Sequence, residues 1–383
     1  MRIIHTADWH LGRIFYGIHL TEDQAYVLEE FLDIVRDTKA DVVIISGDIY
    51  DRAVPPQDAV SLLDDIISRL VKDIAVPVIM ISGNHDSPER LNFGSKLFAT
   101  SNLYIFGKFS PNFSPVTLED KFGLVDIYPI SYLEPSIVRE KLNKEEILTH
   151  ELAFKEILNN IHLNKSLDRR TILVAHATVL GGTTSDSERP LSIGGAETVD
   201  PSIFDGFNYV ALGHLHKPQS VKKEYIRYAG SILKYSFSEV SHKKSVTFIE
   251  MNEKGGSFIE EIPLSPRHDV RIIKGKLEDI LAGSELDANR EDYIMVMLMD
   301  EHPVLNAMAK LRKVYPNTLH IERCQFMPSN SCINTYVEHQ CLSEKEIFSS
   351  FFNQVTGKDM SIEEEKAFLQ VLEKLRAKNR EAS

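Results

Sequence analysis

Nine residues in five short clusters have the types and spacing to do chemistry: Asp8 and His10; Asp48; Asn84, His85 and Asp86; His176; and His214 with His216. Taken singly, each cluster reads as a capped turn or a hydrogen-bonded core histidine. Together they read differently. Asp8, His10, Asp48, Asn84, His176, His214 and His216 are all oxygen or nitrogen donors. Mixed imidazole and carboxylate ligation suits manganese, iron or zinc rather than a thiolate-seeking metal. Seven such donors exceed one coordination sphere and fit two ions if one carboxylate bridges. Asp8 with His10, and His214 with His216, are i, i+2 pairs, which point the same way on an extended segment.

The elements that must position these donors are legible. Short apolar runs at Arg2 to Thr6, Asp41 to Ser46, Val76 to Ser82, Thr171 to Ala175 and Tyr209 to Leu212 each end at one of the clusters. Their length and β-branched content predict strands. Between them, Asp23 to Thr38 carries Val27, Phe31, Ile34 and Val35 at helical spacing, and Gln57 to Val71 reads likewise. Strands alternating with helices predict an α/β layered core. In such sheets ligands gather beyond the carboxyl ends of the strands. The clusters are accordingly expected at the strand ends of one sheet.

A chain of 383 residues is expected to form two or more domains. With 43% hydrophobic and 26% charged residues it reads as a soluble globular protein with ample core, and no apolar run reaches membrane-spanning length. Cys324, Cys332 and Cys341 are sparse and odd in number, and Met1-Arg2-Ile3-Ile4 leads straight into patterned sequence. Both features predict a reducing cytoplasm. The net charge of −13 argues against a surface that grips nucleic acid throughout. Local basic stretches remain at Lys222-Lys223, Lys243-Lys244, Arg267 to Lys276 and Lys310 to Lys313.

Near residue 266 the pattern changes to strands at Arg267 to Lys276, Tyr293 to Met299 and Thr318 to Glu322, with a helix over Leu305 to Val314. This predicts a small α+β domain over 266–340. From 341 to 383 the chain reads as a helical tail. Ser343 with Glu346, and Ser361 with Glu364, match the capping box that starts a helix. One tail helix carries Ile347, Phe348, Phe351, Phe352 and Val355; the other carries Phe368, Leu369, Leu372 and Leu375. Two apolar faces on such an appendage mark a partner site.

The blocks Asp8-Trp9-His10, Gly47-Asp48-Ile49-Tyr50-Asp51, Gly83-Asn84-His85-Asp86, His176 and Gly213-His214-Leu215-His216 occur in order and together resemble the calcineurin-like metallophosphoesterases. The stretches "HTADWHLG", "SGDIYDRAVPP", "SGNHDSPERL", "SDSERPLSIGG", "LGHLHKPQ" and "FFNQVTGKDMS" resemble one branch, the bacterial nuclease subunits related to the eukaryotic meiotic-recombination nuclease. That resemblance implies a layered β-sandwich flanked by helices over 1–265. It further implies a capping, DNA-binding domain over 266–340 and a helix-turn-helix tail that docks a long coiled-coil ATPase. It implies that Asp8, His10 and His216 hold one ion, that Asn84, His176 and His214 hold the second, and that Asp48 bridges them. His85 then contacts the scissile phosphate, with Asp86 orienting its imidazole.

The implied activity is manganese-dependent cleavage of DNA hairpins and double-strand ends, by a homodimer within a heterotetramer at the nucleoid and away from membranes. Relatives in eukaryotes and archaea carry histidine where this chain has Asp51, so a phosphate contact there is not carried over. A phosphatase acting on phosphoprotein or small nucleotides is the alternative enzyme. Protein phosphatases of the superfamily read Gly-Asn-His-Glu, against Gly-Asn-His-Asp here, and lack the second domain and tail. A metal-free binding scaffold is the third alternative, but such scaffolds lose histidine ligands, and here none is missing.

Overall fold

The computed structural model describes residues 1–111, 114–166, 168–188 and 198–323, together with positions 348, 349, 352, 360, 361, 364, 367 and 368. The three cysteines, residues 189–197, the end of the expected small domain and most of the expected tail lie outside the described residues.

Two six-stranded sheets carry the fold. The first runs, across its width, Ser257–Pro263, Ser245–Met251, Arg2–Thr6, Val42–Ser46, Val78–Ile81 and Leu103–Phe106. The second runs Gln219–Val221, Lys223–Tyr228, Tyr209–Gly213, Arg170–His176, Gly123–Pro129 and Val116–Asp120. The five cluster-bearing strands therefore divide three to two between two sheets, rather than sharing the one expected. In both sheets these strands run parallel to their cluster-bearing neighbours.

The burial pattern explains why. Ile3, Ile44, Ile79, Ile81, Ile172, Val174, Tyr209 and Ala211 face a common core between the sheets. Their neighbours Ile4, Val43, Ile45, Val78 and Met80 face outward onto Val27, Phe31 and Val35 of the helix Thr21–Thr38 and Leu63 and Ile66 of the helix Gln57–Ser68. On the opposite side, Leu173, Ala175, Val210 and Leu212 pack on Phe154, Ile157 and Ile161 of the helix His150–Asn164. A strand covered on both faces has no polar alternation, which is why these runs are almost continuously apolar. The layers are helix, sheet, sheet, helix: an α/β sandwich.

A three-stranded sheet, Val270–Gly275, Tyr293–Leu298 and Thr318–Arg323, follows. Among the described residues its strands are all parallel and joined through the helices Leu277–Gly283 and Ala307–Leu311. Leu277, Ile280, Ile294, Val296, Leu298 and Leu311 form its own core. Val270, Tyr293 and Met295 join the larger core instead, beside Phe15 and Phe237. Tyr293 donates its hydroxyl to Asp23 Oδ2 at 2.7 Å and His268 Nδ1 lies 2.7 Å from Asp23 Oδ1, tying the small sheet to the first long helix. Of the expected capping boxes, the one at Ser361 and Glu364 is formed reciprocally: Ser361 N donates to Glu364 Oε2 at 2.8 Å and Glu364 N to Ser361 Oγ at 3.3 Å. No helix among the described residues is long and apolar enough to cross a membrane.

Candidate metal centre

The carboxyl ends of the five strands meet at one place, and close backbone approach brings them there. A Cβ on Gly83 would sit 2.1 Å from Asp48 Oδ1, and one on Gly213 would sit 2.0 Å from the Ser46 carbonyl oxygen. Only glycine fits these contacts. Asp8, His10, Asp48 and His214 take positive φ angles of 52°, 46°, 49° and 109°, sparsely populated for side chains with a Cβ. Such strain persists where surrounding structure enforces it, and it clusters at functional sites. Here the enforcing contacts are Asp8 N and His10 N donating to the Gly47 and Asp48 carbonyls, both at 3.0 Å. Trp9, fully buried against Phe31, anchors the same turn from behind. Tyr235 donates to the Trp9 carbonyl at 2.5 Å, and Gln24 donates to the Trp9 and His10 carbonyls at 3.0 and 2.8 Å.

The donors form two buried groups, and His10 also belongs to a third, more exposed one with Asp51 and His85. Asp8, His10 and His216 present ligand atoms within 4.8 Å of one another, as do Asp48, His176 and His214. Asn84 Oδ1 joins the second group, 3.0 Å from His176 Nε2 and 3.1 Å from His214 Nδ1. Asp48 Oδ2 faces both groups, 3.6 Å from His10 Nε2 and 3.4 Å from His176 Nε2. All seven residues proposed from sequence as ligands thus converge. His85 sits beside them with its ring 4.8 Å from that of His10. Its amide donates to Asp48 Oδ1 at 2.9 Å and its Nδ1 to the Asp51 carbonyl at 2.8 Å.

Asp86, expected to orient the His85 ring, acts elsewhere. Its Oδ2 accepts from Gly83 N at 2.9 Å and Ile49 N at 3.1 Å, and its Oδ1 accepts from Tyr50 N at 2.9 Å. It clamps one ligand loop to another, while the Asp51 carbonyl orients His85. The Asp51 side chain is held by Arg13 Nη1 at 2.7 Å and lies 3.5 Å from His10 Nδ1. A carboxylate so paired is not a phosphate contact. Sequence reading also missed Ser187, Glu188, Glu239 and Lys244, which pack behind His216. Ser187 and Glu188 fall in the noted "SDSERPLSIGG" stretch, but Glu239 has no motif to reveal it.

The electrostatics suit cations. Burial lowers the imidazoles of His10, His214 and His216, the last to about 3, leaving them neutral with a lone pair to offer. Burial also lifts the Asp8 carboxyl well above its usual range, and lifts Asp86 to about 6. Burial works against ionising His176, but Asp48 outweighs it and raises the ring to about 9. A pocket that pulls a proton onto His176 and faces His10 Nε2 to His216 Nε2 at 3.0 Å is a pocket built for positive charge. The residues present fit a pair of divalent metal ions.

A profile of the calcineurin-like phosphoesterase family matches residues 1–218, more than half of the chain. The chain belongs to that family. It is a metal-dependent phosphoesterase. A second profile, described as the type 5 capsule protein repressor C-terminal domain, matches residues 266–356. A curated relative from Staphylococcus saprophyticus subsp. saprophyticus, the SbcD subunit of the nuclease SbcCD, is 38% identical over 373 residues, covering 97% of this chain and 98% of the relative. Among solved structures, a dimetal phosphatase from Danio rerio is similar at 12% identity and a TM-score of 0.39, over 69% of this chain and 99% of that one. A protein from Thermus thermophilus is similar at 12% identity and a TM-score of 0.37, over 68% of this chain and 98% of that one.

Proposed function

We propose that this phosphoesterase is a manganese-dependent DNA nuclease subunit of the SbcD kind. It acts on double-strand ends as a 3'-to-5' exonuclease and on single strands as an endonuclease, opening hairpins in replication, recombination and repair. The observation that carries this reading is the whole-length likeness to a nuclease subunit, joined to two donor groups that share one carboxylate oxygen. Asp8, His10 and His216 would hold one ion, and Asn84, His176 and His214 the other, with Asp48 between them. Metal ions bound there supply an activated water and Lewis-acid neutralisation of developing charge on phosphate.

The chain's own groups do the rest. Asp48 fixes the two halves of the site together, because its Oδ1 also holds the His85 amide. Since a carbonyl only accepts, the Asp51 carbonyl fixes a proton on His85 Nδ1 and leaves Nε2 as the atom free to meet the scissile phosphate or its leaving oxygen. Asp86 keeps the two loops in register, so that Asn84 and His85 stay at the mouth of the site.

The partner is the ATPase SbcC, docked by the tail over 341–383, in a heterotetramer built on a homodimer of this chain and located at the nucleoid in the cytoplasm. The region over 266–340 would cap the site above the nuclease domain over 1–265. Two of the basic stretches are partly engaged inside the fold. Lys244 is buried against Glu239, and Arg271 is tied to Asp287 at 3.0 Å, while Lys243, Arg267, Lys274 and Lys276 are exposed. Because the chain carries a net charge of −13, SbcC supplies much of the phosphate grip, with the face from Arg267 to Lys276 contributing. Gel assays on hairpin and duplex-end substrates, with and without SbcC, ATP and manganese, test the reading. Cleavage that needs manganese and is directed to ends by SbcC and ATP is expected. A purified chain that releases phosphate from small monoesters and leaves every DNA substrate intact in the full complex would overturn it.

A further inference from the structure

We propose that Ser187, Glu239 and Lys244 form a buried positioning relay that fixes the tautomer and direction of the His216 imidazole, and so sets the metal affinity of the Asp8, His10 and His216 group. The inference rests on the two-metal reading above. Glu239 is fully buried and Lys244 is 5% exposed. The three ammonium protons of Lys244 have three acceptors: Glu239 Oε2 at 2.5 Å, Ser231 Oγ at 2.8 Å and the His216 carbonyl at 2.8 Å. The second oxygen of the carboxylate, Oε1, accepts the Ser187 hydroxyl.

Proton counting then decides the ring. Ser187 has one hydroxyl proton, and the carboxylate takes it. Ser236 Oγ at 3.2 Å and Ser185 Oγ at 3.5 Å also reach Glu239 Oε1, but a carboxylate oxygen accepts more than one hydroxyl, and Ser187 is the nearest of the three. Ser187 Oγ therefore meets His216 Nδ1, 2.6 Å away, as an acceptor. His216 carries its proton on Nδ1, and Nε2 is left bare on the side of His10 and Asp8. The main chain is gripped as well: His216 N donates to Glu188 Oε1 at 2.7 Å, and its carbonyl accepts from Lys244. The residue is held at its amide, its carbonyl and its ring.

Packing alone would not call for this arrangement. A buried ion pair is costly to desolvate, and apolar side chains of similar volume stabilise a core as well or better. What the ion pair supplies is a fixed negative acceptor one hydroxyl away from a ligand ring. Metal-ligating histidines characteristically give their second N–H to such an acceptor, and losing it weakens metal binding about 10- to 100-fold.

The test titrates manganese into the metal-free full-length chain by calorimetry, comparing wild type with Ser187→Ala, Ser187→Thr and Glu239→Gln. Ser187→Ala is expected to fold normally, to keep one site at wild-type affinity and to weaken the other about 10- to 100-fold. Ser187→Thr keeps the hydroxyl and restores most of that loss. Glu239→Gln leaves Lys244 without its counter-charge; should it fail to fold, Ser187→Ala still decides. In the metal-free chain, histidine 15N spectra should show His216 protonated at Nδ1, and mixed tautomers in Ser187→Ala. Unchanged affinity and an unchanged tautomer in Ser187→Ala overturn the relay, as does equal weakening of both sites with a fallen melting temperature. A wild-type chain that binds fewer than two ions sinks the two-metal reading instead, while the metal-free spectra still report on the relay.

Discussion

His85 donates its Nδ1 proton to the main-chain carbonyl of Asp51 at 2.8 Å, so a residue next to the metal donors is aimed by backbone rather than by a carboxylate. His85 groups with His10 and Asp51 but with neither Asp8 nor Asp48, and its Nδ1 is already engaged by the Asp51 carbonyl. His85→Asn is therefore expected to keep both metal ions and to slow phosphodiester hydrolysis by roughly 10²–10⁴-fold, the usual contribution of a general acid or base. Metal analysis of the purified variant beside a rate measurement checks this. Metal lost together with activity would return His85 to the ligand set.

Asp48→Asn is the complementary case. One oxygen of Asp48 faces His10 and His176 at 3.6 and 3.4 Å, and the other holds the His85 amide at 2.9 Å. An amide keeps the shape but is a poor bridge between two cations, so the variant should lose at least one tightly bound ion and essentially all activity. Retention of two ions and wild-type turnover would show that the carboxylate does not bridge.

Much of this site could be read in the sequence because its donors sit at strand ends, where local pattern and chemistry coincide. The seven ligand candidates converge as expected. Sheet membership could not be read. Val42–Ser46 and Arg170–His176 are both buried on two faces, so nothing in either run says which neighbours it pairs with; that depends on long-range register. The role of Asp86 was illegible for a related reason. It follows His85 in the chain, but the turn sends its carboxylate back to the Gly83, Ile49 and Tyr50 amides. Glu239 reaches His216 only through folding, with no spacing rule to link them.

The ion pair of Arg170 with Asp120 gives a pH dependence away from the metal site. Arg170 grips Asp120 with two hydrogen bonds, at 2.9 and 2.5 Å, and both side chains are buried. Hydrogen bonding to Arg170 holds the Asp120 carboxyl well below its ordinary value of 3.8. A depressed carboxylate contributes stability that is complete above the unfolded value and is lost as pH falls through the folded one. Asp120→Asn should therefore be less stable than wild type by about 3 kcal/mol at neutral pH, the cost of breaking a buried pair. The gap should begin to close once the pH drops below about 4. Denaturant melts at pH 7 and pH 3 measure it, and a constant gap at both would assign the loss to packing.

The tail offers the last test. Phe348 and Phe368, from the two expected tail helices, stack face to face with ring centroids 4.1 Å apart and an interplanar angle of 4°, which joins those segments. Offset or edge-on packing is the commoner choice for aromatic pairs, and such pairs contribute about 0.5–1.5 kcal/mol beyond area burial. Every proposed metal ligand lies before residue 217. A chain cut after Cys341 should accordingly bind two metal ions and hydrolyse bis(p-nitrophenyl) phosphate at the wild-type rate. It should fail to co-purify with SbcC and lose ATP-dependent action on DNA ends. Phe368→Glu separates docking from folding, because a charge placed in that stack breaks the apolar face without removing the chain. Circular dichroism and gel filtration of this variant decide between the two roles. A well-folded monodisperse chain that no longer binds SbcC supports docking by the tail. An aggregated chain, or one with a depressed melting temperature and normal SbcC binding, makes the tail a part of the protein's own core.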